Sequence, residues 1–212
     1  MRLTRTVRGR LVRDLPLAAV LLALAGAADA SMMSFLSIED LSRASTQVVR
    51  ARILSQTVRW TPAHDGIYTE IEAQVIGQIV PQPRGPAGPR RITIVQAGGE
   101  IDGVSLDWTG RPRFQDGEDL ILFLQAYDPA DPADNRLLVV GGKQGRMRVI
   151  EDAHGRAPAR VERDLLGVME APFIEGAEPT GPGHRRDVMQ LEDLSQRAVR
   201  AHGPGASQGA NR

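Results

Sequence analysis

Few residues of this chain have the type and spacing that catalysis or metal binding requires. Three aspartates recur at intervals of three, Asp128, Asp131 and Asp134, and hard cations such as calcium prefer several carboxylate oxygens. The segment has neither the central glycine nor the carboxylate at the twelfth position of an EF-hand loop. A proline-rich loop between two strands explains it without an ion, so we predict no calcium site.

Two glycine-containing segments resemble catalytic or nucleotide-binding motifs only in part. Gly141–Arg146 carries a lysine between glycines, but a phosphate-binding loop needs Ser or Thr after the lysine and a helix that begins there. We expect a turn between two strands instead. Gly103–Asp107 contains a serine, but it lacks the second glycine and the helix of a hydrolase nucleophile elbow.

The remaining titratable residues do not form a catalytic or metal-binding pattern either. The chain has no cysteine, and no two of its histidines lie one helical turn apart, as a rigid zinc site would need. These histidines are His64, His154, His184 and His202. Glu70 and Glu72 share one face of a predicted strand, which is typical of a solvated surface. We therefore predict no catalytic residue, no metal and no cofactor, and a protein that is not an enzyme.

The best candidate surface is a glycine-rich segment from residue 98 to residue 114. Glycine-dense loops with charged and aromatic residues often form binding surfaces at the rim of small β-barrels. Turn chemistry with one aromatic plug would explain the same residues, so both interpretations stay open. The predicted binding residues are Gly98, Gly99, Glu100, Asp102, Trp108 and Phe114, together with Ser31, Met32 and Met33 near the N-terminus.

Residues 1 to 30 have the pattern of a secretory signal peptide. Five arginines precede the apolar run Leu15–Ala28, and the small residues Ala28 and Ala30 predict cleavage before Ser31. A membrane anchor is the alternative, but 14 helical residues span about 21 Å, less than the ~30 Å of a bilayer core. We expect a secreted or periplasmic protein without a membrane anchor after cleavage.

The charge of the predicted mature chain argues against nucleic acid as a partner. The whole sequence has 26 basic and 26 acidic residues, and removal of five arginines and two aspartates leaves 21 and 24, a net charge of −3. Such a chain has no broad attraction for phosphate backbones. The basic residues are 25 arginines and one lysine, Lys143, a bias for which the sequence offers no functional explanation.

Hydrophobic periodicity predicts an all-β fold, mainly antiparallel, with two short helices. Ser37 is expected to cap a first helix that ends near Ala44, and residues 187–201 form an amphipathic helix with Val188, Leu194, Ala198 and Val199 on its apolar stripe. A barrel or sandwich domain over 31–170, a linker over 171–186 and a disordered tail over 202–212 follow. The predicted strands are Val49–Ile53, Ile67–Val75, Arg91–Ala97, Val104–Trp108, Asp119–Ala126, Leu137–Val140 and Arg146–Ile150.

Residues 36 to 150 resemble a group of exported bacterial proteins with netrin-like barrels of the OB type, the fold of tissue inhibitors of metalloproteinases. The most specific segments are Gln96–Gly103, within "ITIVQAGGEIDG", and Phe114–Leu124, within "GRPRFQDGEDLILFL". The resemblance implies a small OB-like barrel and a protein partner such as an exported metalloprotease. It also implies inhibition of that protease.

One departure from those inhibitors concerns the N-terminus. They chelate the protease zinc through an N-terminal cysteine held by disulfides, and this chain has no cysteine. The amine and carbonyl of Ser31 could still chelate a metal, although nothing in the sequence fixes them in place. We predict an exported, non-enzymatic binding module that acts as a partner or inhibitor of a secreted metalloprotease. A structural or envelope-associated protein and a hydrolase with an unrecognised site are the alternatives.

Overall fold

The computed structural model describes residues 33–81, 90–131, 133–152, 154, 157–166, 168–169 and 186–203. The predicted signal peptide, Ser31, Met32, most of the proline-rich loop 81–90, the linker up to residue 185 and the tail after residue 203 lie outside these residues. No helix in the described part of the chain is long and apolar enough to span a membrane.

The described residues form twelve strands and two α-helices, which confirms an all-β fold. The helices are α1 (Ile38–Ala44) and α2 (Leu191–His202). The strands are β1 (Met33–Ser34), β2 (Gln47–Trp60), β3 (Ile67–Val80), β4 (Arg90–Ala97), β5 (Gly99–Ile101), β6 (Val104–Leu106), β7 (Asp119–Ala126), β8 (Leu137–Val139), β9 (Arg146–Ile150), β10 (Arg160–Asp164), β11 (Val168–Met169) and β12 (Arg186–Gln190).

Five of these strands close into a small barrel. Their order is β7, β2, β3, β4, β8, and β8 pairs again with β7. Every pairing is antiparallel except that of β4 with β8, where Ile94 lies opposite Leu137. This arrangement is an OB-like five-stranded barrel, as the sequence predicted.

Strand β7 lies at the centre of the fold because both of its faces are covered. Leu120–Leu124 are fully buried, and such an unbroken apolar run is typical of a strand that is covered on both faces. Alternate residues belong to two different cores: the leucines lie inside the barrel, while Ile121 and Phe123 pack with residues of both helices. The protein therefore has a barrel core and a second core beneath α1 and α2.

The two helices pack against each other over the second core. Ser37 caps α1 as predicted, since its Oγ accepts the backbone N–H of Asp40 at 3.1 Å. An ion pair joins the helices, with Arg197 Nε 2.7 Å from Glu39 Oε1. This hydrogen bond from Arg197 lowers the pKa of Glu39 to about 2.

The predicted hairpin between Leu137–Val140 and Arg146–Ile150 is wrong. Strands β8 and β9 both pair antiparallel with β7, with Val139 opposite Leu124 and Arg148 opposite Leu120. They therefore run in the same direction along one edge of β7, separated by a 3₁₀ turn over Gly142–Gly145. Strand β8 closes the barrel, whereas β9 begins an extension of the sheet that continues through β10 to β12.

Three further elements differ from the sequence prediction. The C-terminal helix begins at Leu191, because residues 186–190 pair with β10 as a strand, and Val188 and Val199 are exposed rather than buried. Leu194 and Ala198 are fully buried as predicted. Gly99–Ile101 forms a strand that pairs with β6, where only a break in the chain was expected. Strands β10 and β11 lie in residues 160–170, where the sequence predicted no strand.

Candidate functional site

The first described residues, Met33–Leu36, form an extended segment that is held by the side chain of a distant glutamine. We call these residues the lead segment. Gln144 Oε1 accepts the backbone N–H of Leu36 at 2.8 Å, and its Nε2 donates to the carbonyl of Ser34 at 2.9 Å. Because Gln144 is only 1% exposed, these hydrogen bonds are shielded from water.

A buried arginine also holds the lead segment. Arg163, also 1% exposed, donates from Nη1 to the carbonyl of Leu36 at 2.8 Å. Its guanidinium lies 4.9 Å from the ring centroid of Phe35, within the range of a cation–π interaction. Nη2 is 2.6 Å from a carboxylate oxygen of Asp187 on β12, so the charge of Arg163 is compensated.

A short parallel strand pair completes the attachment. Met33 lies opposite Val168 and Ser34 opposite Met169 in the pairing of β1 with β11. The lead segment is therefore fixed by backbone pairing as well as by the Gln144 and Arg163 side chains. None of these contacts involves a disulfide.

Two glycines allow the lead segment to lie close to the loop over residues 107–113, which we call the rim of the barrel. Gly110 has φ +92°, and a Cβ there would overlap Met33 Sδ. Gly142 has φ +58°, and a Cβ there would lie 2.6 Å from the carbonyl oxygen of Gly110 and 3.5 Å from the Trp108 ring. A side chain at either position would therefore displace the methionine or the loop.

Trp108 is the exposed aromatic residue of this rim. It is 43% exposed, and its indole Nε1 donates to the carbonyl of Ala97 at 3.3 Å. Val104 and Leu106 on β6 are also exposed apolar residues. The structure thus places Met33 and Trp108 on one surface, although they are far apart in the sequence.

The other predicted binding residues have different surroundings. Gly98 and Gly99 are buried, and a Cβ on Gly99 would lie 2.5 Å from Val58, so these glycines serve close packing. Asp102, at φ 52°, accepts the Trp60 indole N–H at 3.0 Å in the turn between β5 and β6, and Glu100 is exposed on β5. Phe114 is 7% exposed and belongs to the barrel core. It is the aromatic plug of the alternative interpretation and is not a surface contact.

A pocket of about 530 Å³ opens beside the rim, and no motif in the sequence indicates it. Its lining includes residues 107–111 and Arg113 of the rim loop, and residues of the neighbouring turn and strands. The charged and large apolar lining residues are Asp107, Trp108, Arg111, Arg113, Lys143, Arg146, Asp164 and Leu166. The lone lysine in an arginine-rich chain was the signal that could have drawn attention to it.

The lining residues differ in how their charges are compensated. Asp107 lies between Arg111, at 3.7 Å, and Arg113. Arg146 makes two 2.6 Å contacts with Glu118. Lys143 Nζ donates to the backbone carbonyl of Leu166, and within the described part of the chain it forms no ion pair.

The acidic loop that could suggest calcium uses its carboxylates locally. Asp128, Asp131 and Asp134 each accept a backbone N–H two residues further on, at 2.9 Å. Asp134 also pairs with Arg136, which lowers the pKa of Asp134. These contacts account for the aspartate spacing as loop geometry.

Comparison with known proteins adds no family to this description. No protein-family model and no curated protein sequence matches the chain. The features that bear on function are therefore the OB-like barrel, the fixed lead segment and the pocket beside it.

Proposed function

We propose that this protein is a secreted or periplasmic binding module without enzymatic activity, and that it contacts a protein partner through its rim. The observation that carries the proposal is the attachment of the lead segment by Gln144 and Arg163, which presents Met33 next to the exposed Trp108. A tryptophan beside a fixed apolar segment is a typical centre of a protein–protein interface.

The attachment matters because a flexible segment loses conformational entropy when it binds. Ordering one residue costs about 1–2 kcal/mol, so a segment that is already fixed binds with less loss. Disulfides perform this role in the inhibitors that the sequence resembles. Here two buried side chains and a strand pair perform it.

An exported metalloprotease is the partner class that we propose. Cleavage before Ser31 would place the new N-terminal amine two residues ahead of Met33. That amine and the Ser31 carbonyl could chelate a protease zinc while Trp108 contacts the enzyme beside its active site. The resemblance to protease inhibitors supports this assignment, and the lead segment supplies the rigidity that chelation needs.

The test compares two exposed aromatic residues in capture from the native secretome. Trp108→Ala removes the rim contact, and Tyr127→Ala removes an equally exposed aromatic residue, at 42% compared with 43%, from another loop. We expect Trp108→Ala to lower the affinity for the captured partner by about tenfold or more, while Tyr127→Ala leaves it unchanged. Equal capture by both variants would refute the rim as the binding surface.

A second variant tests the metalloprotease assignment. One alanine inserted before Ser31 would displace the amine but leave the lead segment in place. We expect a cognate zinc protease to be inhibited by the native N-terminus and not by the extended one. Equal inhibition by both forms, or by neither, would refute chelation. Recovery of envelope polymers in place of a protein would favour a structural role, and turnover of ester or peptide substrates would favour a hydrolase.

A further inference from the structure

The pocket beside the rim contains a positive charge that has no carboxylate partner in the described part of the chain. Four of its lining residues are basic, Arg111, Arg113, Lys143 and Arg146, and two are acidic, Asp107 and Asp164. The arginines at 111, 113 and 146 have carboxylate partners, whereas the Lys143 ammonium contacts a backbone carbonyl within the described part of the chain. An ammonium group has three N–H donors, so further acceptors can bind to it.

The surroundings of this charge restrict the ligand. Trp108 and Leu166 are both exposed apolar walls of the pocket, so they favour an apolar group attached to the anion. Asp107 and Asp164 line the same space. Their negative charges would repel a dianionic ligand such as phosphate more strongly than they would repel a ligand with a single carboxylate. The volume of about 530 Å³ suits one or two amino-acid side chains.

We propose that this pocket binds a carboxylate of the partner polypeptide, with Lys143 as its charge partner and with Trp108 and Leu166 around the adjoining apolar side chain. This inference rests on the proposed function, since the carboxylate belongs to the protein that the rim contacts. Either a chain terminus or an acidic side chain could supply the group.

The composition of the chain makes the proposal directly measurable. Lys143 is the chain's only lysine, so biosynthetic incorporation of ¹³C-lysine labels this residue alone. The labelled ammonium keeps its positive charge and all three of its N–H donors. Its NMR signal can be followed while peptides are added, without knowledge of the natural partner.

Two pairs of short leucine-containing peptides distinguish the sources of the carboxylate. One pair ends in a free carboxylate or in an amide, and the other carries an internal glutamate or glutamine between leucines, with blocked ends. We expect a saturable shift of the Lys143 signal with a carboxylate-bearing member and no shift with its amide partner. No saturable shift with either carboxylate, the same shift with the neutral partners, or an equal response to inorganic phosphate would overturn the proposal.

Two variants complete the test by tryptophan fluorescence with the peptide that binds. Lys143→Met should weaken peptide binding by about tenfold or more, because a charge-assisted hydrogen bond is lost. Arg200→Met removes an exposed cation of α2 outside the pocket and should leave binding unchanged. Equal losses in both variants would show a general charge effect and overturn the proposal. If Lys143→Met captures the secretome partner as well as the wild type while Trp108→Ala does not, the pocket inference fails and the proposed function stands.

Discussion

Replacing Gln144 by alanine should release the lead segment without unfolding the barrel. The side chain makes two shielded hydrogen bonds, from the Leu36 N–H and to the Ser34 carbonyl, and each contributes about 1 kcal/mol net. The loss of both should lower the free energy that holds the segment by about 2 kcal/mol, or about 30-fold in its opening equilibrium.

Native-state hydrogen exchange measures this opening at one atom. The Leu36 amide hydrogen, which Gln144 protects, should exchange about 30-fold faster in Gln144→Ala, whereas amides of the buried strand β7 should keep their protection. Gln144→Met retains most of the side-chain volume but neither hydrogen bond, so it should behave like the alanine variant.

A second glutamine provides the matched control for this experiment. Gln56 Nε2 donates one hydrogen bond to the carbonyl of Phe114, at 3.1 Å, and does not touch the lead segment. Gln56→Ala should therefore leave Leu36 exchange unchanged. Unaltered protection of Leu36 in Gln144→Ala would refute the reasoning, and wild-type protection in Gln144→Met would assign the effect to packing instead of hydrogen bonding.

Three other perturbations test the surrounding structure. Gly110→Ala should lower the free energy of unfolding, measured by thermal unfolding, by about 2–5 kcal/mol, because φ is +92° and the new Cβ meets the Met33 side chain. Gly117→Ala has a similar φ of +83° but places its Cβ in open space, so it should cost about 1–2 kcal/mol. Equal losses in the two variants would contradict the close approach of Met33 to Gly110. Because the pKa of Glu39 is lowered, its ion pair with Arg197 of α2 stabilises the fold above pH 4.5, and this contribution is lost as the pH falls toward 2. In denaturant unfolding, Glu39→Gln should therefore lower the free energy of unfolding by about 0.5–1 kcal/mol at pH 7 and by almost nothing near pH 2. A chain that ends at Gly183 loses β12 and α2, so its melting midpoint should lie far below that of the full chain. A chain that ends at His202 keeps both elements and should melt like the full chain. Equal midpoints for the two truncations would show that α2 does not cover the second core.

The sequence predicted the barrel strands well where a local pattern decides the structure. The alternation of Ile67, Thr69 and Ile71 with polar neighbours indicates which face of β3 is buried, and all three residues are buried. The continuous apolar run of β7 indicated cover on both faces, and two separate cores provide it. In both cases the pattern repeats over several residues, so one ambiguous position does not alter it.

Pairings between distant segments were not predictable in this way. Gly141 and Gly142 suit a tight hairpin turn, yet β8 and β9 share one edge of β7, because β8 also has to pair with β4 to close the barrel. Residues 186–190 fit a helical stripe, but their register with β10 places Asp187 opposite Arg163 and keeps them extended.

The residues that hold the lead segment could not be predicted from the sequence for the same reason. Gln144 and Arg163 had no recognisable motif, and their function depends on contacts more than 100 residues away in the chain. The rim prediction included Trp108 and Met33 but also the buried Phe114, since the sequence does not show which aromatic residue enters the core.

The extension of the sheet beyond the barrel explains how a chain without cysteine can hold its N-terminal region. Strand β10 supplies Arg163, β12 supplies the carboxylate of Asp187 that compensates it, and the turn before β9 supplies Gln144. A five-stranded barrel alone would have none of these groups. Because the attachment uses hydrogen bonds and an ion pair, its strength does not depend on the redox state of the compartment. The extension therefore does for the lead segment what a disulfide would do, so the proposed partner would meet the segment already in place.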